Sequence, residues 1–192
     1  MASGSDISDN VVVKEGTHLI ARSAFKDNKK LVSITLPSSL KDISSYAFQN
    51  CEKLQDIYCS STLQIWSTTF SGVNASKVTV HTLDCYKPFY EKRKLWEGFK
   101  FEFSPTQKDG IYYSLDGNKL TATVVAEKAG ADNYESLPAE KVYIPKKITE
   151  GEGRDKKDYQ VTGMEEDAFA YSPFTYVEIH SAAKITTIFF KT

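Results

Sequence analysis

The stretch Ile34–Phe48, ITLPSSLKDISSYAF, is written more than once in this chain. Set against Val11–Phe25, VVVKEGTHLIARSAF, it places Val11 under Ile34, Val13 under Leu36, Ile20 under Ile43 and Ala24-Phe25 under Ala47-Phe48. Downstream, Ile65 answers Ile43 and Phe70 answers Phe48, one residue tighter. GMEEDAF repeats the end of the motif, with Met164 before Phe169. After each Phe comes a second pattern, apolar-x-x-apolar-x-apolar: Leu31, Ile34, Leu36; Leu54, Ile57, Cys59; Ala75, Val78, Val80; Phe174, Val177, Ile179.

Self-similarity at a period of about 20–29 residues with L-x-x-L-x-L spacing is the signature of a leucine-rich repeat. The expected fold is an α/β leucine-rich-repeat solenoid: short parallel strands joined by irregular or short helical turns. In the best-formed unit, Leu31, Ile34 and Leu36 face inward while Ser33 and Thr35 alternate outward, as in a half-buried strand. Pro37 ends the ladder because it has no N–H to donate. Ser44–Phe48 is too short for a stable helix and predicts a single turn pressing Phe48 into the stack, where burial contributes roughly 1.5–3 kcal/mol.

Four segments follow from this reading. Residues 1–10, MASGSDISDN, lack the apolar core of a secretory signal and read as a disordered leader or tag. Residues 11–103 form a repeat array with a helical cap. There Asp84 is the expected N-cap, Pro88 an early helical position, and Tyr86, Phe89 and Tyr90 one face. Such a cap covers the apolar end that a terminal repeat leaves open. Residues 104–109, with Pro105, form a linker. Residues 110–192 open with a β-hairpin around Asp116-Gly117. A second, incomplete array follows, in which Val142-Tyr143-Ile144-Pro145 repeats Ile34–Pro37 and Ile148 takes the place of Leu40. Its insertion TEGEGRDKKDYQ is an exposed loop or hairpin, and Ile185 and Ile188 begin a unit left unfinished at Thr192.

The chain has 192 residues, 41% hydrophobic and 26% charged, with a formal net charge of −1, which suits one or two folded domains. No run of Lys or Arg marks a nucleic-acid footprint, and Lys92-Arg93-Lys94 reads as the solvated face of the cap helix. No segment approaches the roughly 18 apolar residues of a membrane-spanning helix. Cys51, Cys59 and Cys85 show no metal-ligand spacing; Cys51 and Cys59 read as buried thiols serving as small hydrophobes. Asn74-Ala75-Ser76 is a formal glycosylation sequon, set against use by the expectation that Ala75 is buried and that strand follows it.

The unit from Ile34 to Leu54, ITLPSSLKDISSYAFQNCEKL, resembles the BspA-type leucine-rich repeats of bacterial surface proteins, also found in some parasitic protozoa. Val11–Phe25 matches it well, Val142–Ile148 and Val161–Ile179 in part, and Asp84–Phe99 resembles the segment that ends such arrays. The resemblance implies an exported protein at the cell surface that adheres to host proteins, other cells or extracellular polymers. It carries no catalytic residue.

Function should then reside in the outward strand positions, which fall in register on one face. These are Ser33 and Thr35; Asp56 and Tyr58; Lys77 and Thr79; Tyr143; and Tyr176 and Glu178. Tyr58, Tyr143 and Tyr176, with Asp56, Lys77 and Glu178, are the candidate ligand-binding residues for a protein or glycan, since Tyr offers large contact area with a polar tip. His81 and His180 follow the last core residue of their strands, an equivalence that needs no metal. Cys85 with His81 is the one close Cys/His pair, and no third group orients it. No metal, cofactor or catalytic set is expected. The alternative to a binding module is a structural spacer that self-associates through the unfinished C-terminal repeat.

Overall fold

A computed structural model describes residues 8–126, 141–151, 156–165, 168–169 and 176–180. The chain divides into two units, Met1–Phe103 and Ser104–Thr192.

In the first unit each repeat contributes two strands. The longer ones are β1 (Asn10–Val12), β3 (Ser33–Leu36), β5 (Asp56–Cys59) and β7 (Thr79–Leu83). Between them lie the two-residue strands β2 (Leu19–Ile20), β4 (Asp42–Ile43) and β6 (Gln64–Ile65). The long strands form a sheet ordered β1-β3-β5-β7, closed by β8 (Lys100–Ser104), and the short ones a second sheet β2-β4-β6. Pairing is parallel, with Val11 beside Ile34, Ile34 beside Ile57, Ile20 beside Ile43 and Ile43 beside Ile65. These are the positions that superpose in the sequence. Strand alternation buries Ile34, Leu36, Ile57 and Cys59 and turns Thr35 and Tyr58 outward.

The repeated phenylalanines stack. Phe25 and Phe48 lie 5.1 Å apart at 3°, and Phe48 and Phe70 5.2 Å apart at 6°. The turns that carry them bond to one another: Phe25 N–H donates to Ala47 O and Phe48 N–H to Thr69 O. Left-handed residues (Ser23, Asp27, Tyr46, Asn50) make these turns tight, and of these Asp27 and Asn50 are types that favour positive φ. Asn28, buried, accepts from the N–H groups of Lys30 and Leu31 and so satisfies the backbone leading into β3.

The third repeat departs from expectation. Val80, not Val78, pairs with Ile57, so the outward residues there are Thr79 beside Asp56 and His81 beside Tyr58. The cause is local: Ala75–Lys77 coil into a 3-10 turn capped by the Asn74 side chain, which takes up chain before the strand begins. Ala75 is consequently half-buried in a turn rather than buried ahead of a strand.

In the cap, Asp84–Tyr86 form a 3-10 turn leading into α1 (Lys87–Glu91), with Leu83 in the capping position expected for Asp84. Tyr90 donates to Ser61 O at 2.7 Å, pinning the helix to the last full repeat. Buried Trp96 meets Phe70, Tyr90, Phe99 and Phe101. Lys92-Arg93-Lys94 do not share a helix face: Lys92 caps α1, Arg93 lies 3.8 Å over the Phe89 ring, and Lys94 opens another 3-10 turn. A five-residue α1 is the one α-helix among the described residues, so the chain is strand-rich and the α component is slight.

The second unit holds β9 (Thr106–Lys108), β10 (Ile111–Asp116), β11 (Thr121–Val125), β12 (Lys141–Ile144), β13 (Lys147–Glu150), β14 (Lys157–Met164) and β15 (Tyr176–Ile179). Thr106–Lys108 pair antiparallel with β10, so the segment read as a linker carries a strand. β10 and β11 form the expected hairpin; its turn is longer than Asp116-Gly117 and closes at Leu120, which has φ 55°. One mixed sheet runs β13-β14-β11-β10-β9. The insertion is an antiparallel hairpin of β13 and β14 with residues 152–155 outside the described set. Ile148 is buried on that hairpin rather than in a repeat turn. Repeat-like pairing persists in β12 and β15, parallel with Val142 beside Val177 and Ile144 beside Ile179. Phe169 is buried. Phe174, Ile185, Ile188 and the unfinished C-terminal unit lie outside the described residues.

Candidate binding face

Parallel in-register pairing stacks the outward residues of the first unit into two rows. One is Asn10, Ser33, Asp56, Thr79; the other is Val12, Thr35, Tyr58, His81. Asn10 accepts from the Ser33 hydroxyl at 2.7 Å, which ties the first two residues of the first row together. In the second row Tyr58, 43% exposed, is covered on one side by the His81 ring at 4.4 Å and 11°. His81 Nε2 lies 2.8 Å from Asp56 Oδ1 and Nδ1 lies 3.0 Å from Glu102 Oε2 on β8. Asp56 and Tyr58 thus enter one cluster with two residues the sequence reading left off the face, His81 and Glu102. The signal for His81 was present, since it stands 23 residues after Tyr58 and the repeat-to-repeat separation is 23. The two-residue difference between the expected and the actual register of β7 obscured it. Lys77 sits in the 3-10 turn and is off the strand face.

In the second unit Tyr143 and Glu178 are register partners across β12 and β15. The Tyr143 ring, 53% exposed, lies 4.8 Å from the His180 ring, and His180 Nε2 lies 2.6 Å from Glu178 Oε1. The backbone of Tyr176 pairs with that of Lys141, and its side chain lies outside the described residues. His180 follows the end of its strand, whereas His81 lies within β7, so the two histidines are not register equivalents.

The remaining candidates do not assemble chemistry. Both His81 nitrogens face carboxylates, and Cys85 is buried in the cap turn, so the Cys85/His81 pair is not formed. Burial pushes the Cys51 thiol up to about 11 and raises that of Cys59, the reverse of nucleophile activation. A cavity of about 350 Å³ in the cap is lined by Tyr90, Arg93, Trp96 and Phe99 among others, with no His, Cys, Ser or Thr. No group of three or more His, Cys, Asp or Glu suited to a metal ion occurs among the described residues. No helix among them is long and apolar enough to cross a membrane.

In comparison with known proteins, residues 4–86 fit the family model described as BspA type leucine rich repeat region, in six copies. No curated protein and no solved structure matches.

Proposed function

We propose, from the premise that residues 4–86 are a BspA-type leucine-rich-repeat region, that this chain is a non-enzymatic, surface-exposed or secreted solenoid module. It binds a protein ligand in adhesion, through the outward face of its strands. The observation that carries this reading is the pair of outward rows, where fixed core positions leave Asp56, Tyr58, His81 and Glu102 clustered and accessible. Large aromatic area at an otherwise small-residue surface, here Tyr58 beside Thr35, is the composition of binding hot spots. Leucine-rich repeats of this type commonly serve surface protein interactions and are typically non-enzymatic.

The test is a binding screen of the whole chain against extracellular-matrix proteins and glycans, followed by Tyr58→Ala and Thr35→Lys. A protein hit weakened about thirtyfold or more by either change supports the proposal, since truncated hot spots lose roughly 2 kcal/mol or more. Binding that is indifferent to both changes, or that is confined to glycans, defeats it.

A second reading, a self-associating spacer, is favoured by Val12 and Leu19, exposed on β1 and β2 at the ends of the two sheets of the first unit. A concentration-dependent dimer in solution, lost in Val12→Lys, supports it; a monomer at all concentrations removes it.

A further inference from the structure

We propose that each unit carries a receptor for one cationic side chain of a protein segment, built from an exposed tyrosine, the histidine against its ring and the carboxylate bonded to that histidine. This rests on the protein-binding reading above and names the chemistry of the partner.

The same contact set appears twice. In the first unit it is Tyr58, His81 and Asp56, with Glu102 added on the far side of the imidazole. In the second it is Tyr143, His180 and Glu178. The carboxylate reaches Nε2 in both. Repeat register does not account for the recurrence. Asp56 precedes the tyrosine by two residues on β5, whereas Glu178 precedes the histidine by two. The set is therefore rebuilt on a different strand pair, not copied with the repeat.

Its chemistry suits a guanidinium or ammonium group. In the first set two carboxylates face one imidazole, which favours a cation over an anion; in the second one carboxylate faces one imidazole, so the preference there rests on the Tyr143 ring face. Lys100, two residues before Glu102 on β8, offsets charge at that edge, which leaves Asp56 as the stronger anchor. Tyr58 has His81 on one register side and short Thr35 on the other, so the ring face toward β3 is open. A planar cation on that face gains from the ring quadrupole, and from Asp56 one alternation away.

The experiment titrates the whole ¹⁵N-labelled chain with the peptide acetyl-Gly-Arg-Gly-Arg-Gly-amide, its citrulline counterpart and a neutral oligosaccharide, maltohexaose. The arginine peptide should shift the amides of Tyr58 and His81 and, independently, those of Tyr143 and His180. Citrulline should abolish both sets of shifts. Tyr58→Leu should weaken the first site about two- to fivefold and leave the second alone, with Tyr143→Leu doing the converse. Asp56→Asn, which keeps the shape and removes the charge, should weaken the first site by a similar factor. Equal shifts with citrulline, no shifts at these amides, or shifts with the oligosaccharide in place of the peptide overturn the proposal. A protein ligand that needs Thr35 and Tyr58 yet binds unchanged after its arginines and lysines are neutralised also overturns it, while leaving the strand-face reading standing.

Discussion

Phe48 shows how a single residue holds successive repeats together. Its ring is fully buried and stacked on both sides, by Phe25 and by Phe70, while its N–H donates to the next turn. Phe48→Ala removes both stacking partners at once and leaves a cavity that the flanking rings cannot close without breaking those turn-to-turn bonds. The expected loss is about 3–5 kcal/mol, read as a lower urea midpoint; a loss under about 1 kcal/mol would contradict the stacked core. Cys51, beside this ring in sequence, is buried and donates to Phe25 O at 3.1 Å. Its folded pKa, about 11, lies above its ordinary 9.0 because burial disfavours the thiolate. A pKa raised by folding contributes stability that is complete below 9.0 and is lost as pH rises through about 11. Buried Tyr90, also raised by burial, acts in the same direction at higher pH. Thermal melts should therefore be level up to about pH 9 and fall above it. Cys51→Val should fall less steeply over the same interval; an identical decline in wild type and variant would exclude Cys51 as a source.

At the scale of elements, the cap does the work of a missing repeat. Phe70 is the last ring of the parallel stack, and in place of a fourth stacked ring it meets Trp96 at 5.8 Å and Phe99 at 5.1 Å, both inclined to it. The polar anchor is Tyr90, bonded to Ser61 O, with Cys59 Sγ 3.4 Å from its hydroxyl. Trp96→Ala should destabilise by about 3–5 kcal/mol and expose the end of the stack, so binding of a hydrophobic dye should rise with it. A variant that melts like wild type and binds no dye would show that α1 and β8 cover the stack without the indole. The cap was legible as an aromatic-rich segment, because its rings recur at helical spacing and then alternate as in a strand. The pairing of β8 with β7, and the place of Glu102 against His81, were not. Pairing across a sheet depends on which segment arrives next to β7, and nothing local to Lys100–Ser104 states that.

At the scale of the whole chain, repetition determined what could be read. Positions Val11, Ile34 and Ile57, Ile20, Ile43 and Ile65, and Phe25, Phe48 and Phe70 superpose in the sequence and neighbour one another in the fold. Parallel strands with a nearly constant period turn sequence equivalence into contact, since each residue's neighbour lies one period away. Tertiary structure alone decided the rest. Where the period slipped before β7, Ala75–Lys77 wound into a turn, and the outward row acquired His81 in place of Lys77. In the second unit the apparent repeat was divided, with Ile148 drawn into an antiparallel hairpin while Val142 kept a parallel partner. Both outcomes depend on hydrogen-bond partners far along the chain. A local apolar pattern says which side of a strand is buried, but it leaves open which strand will lie beside it.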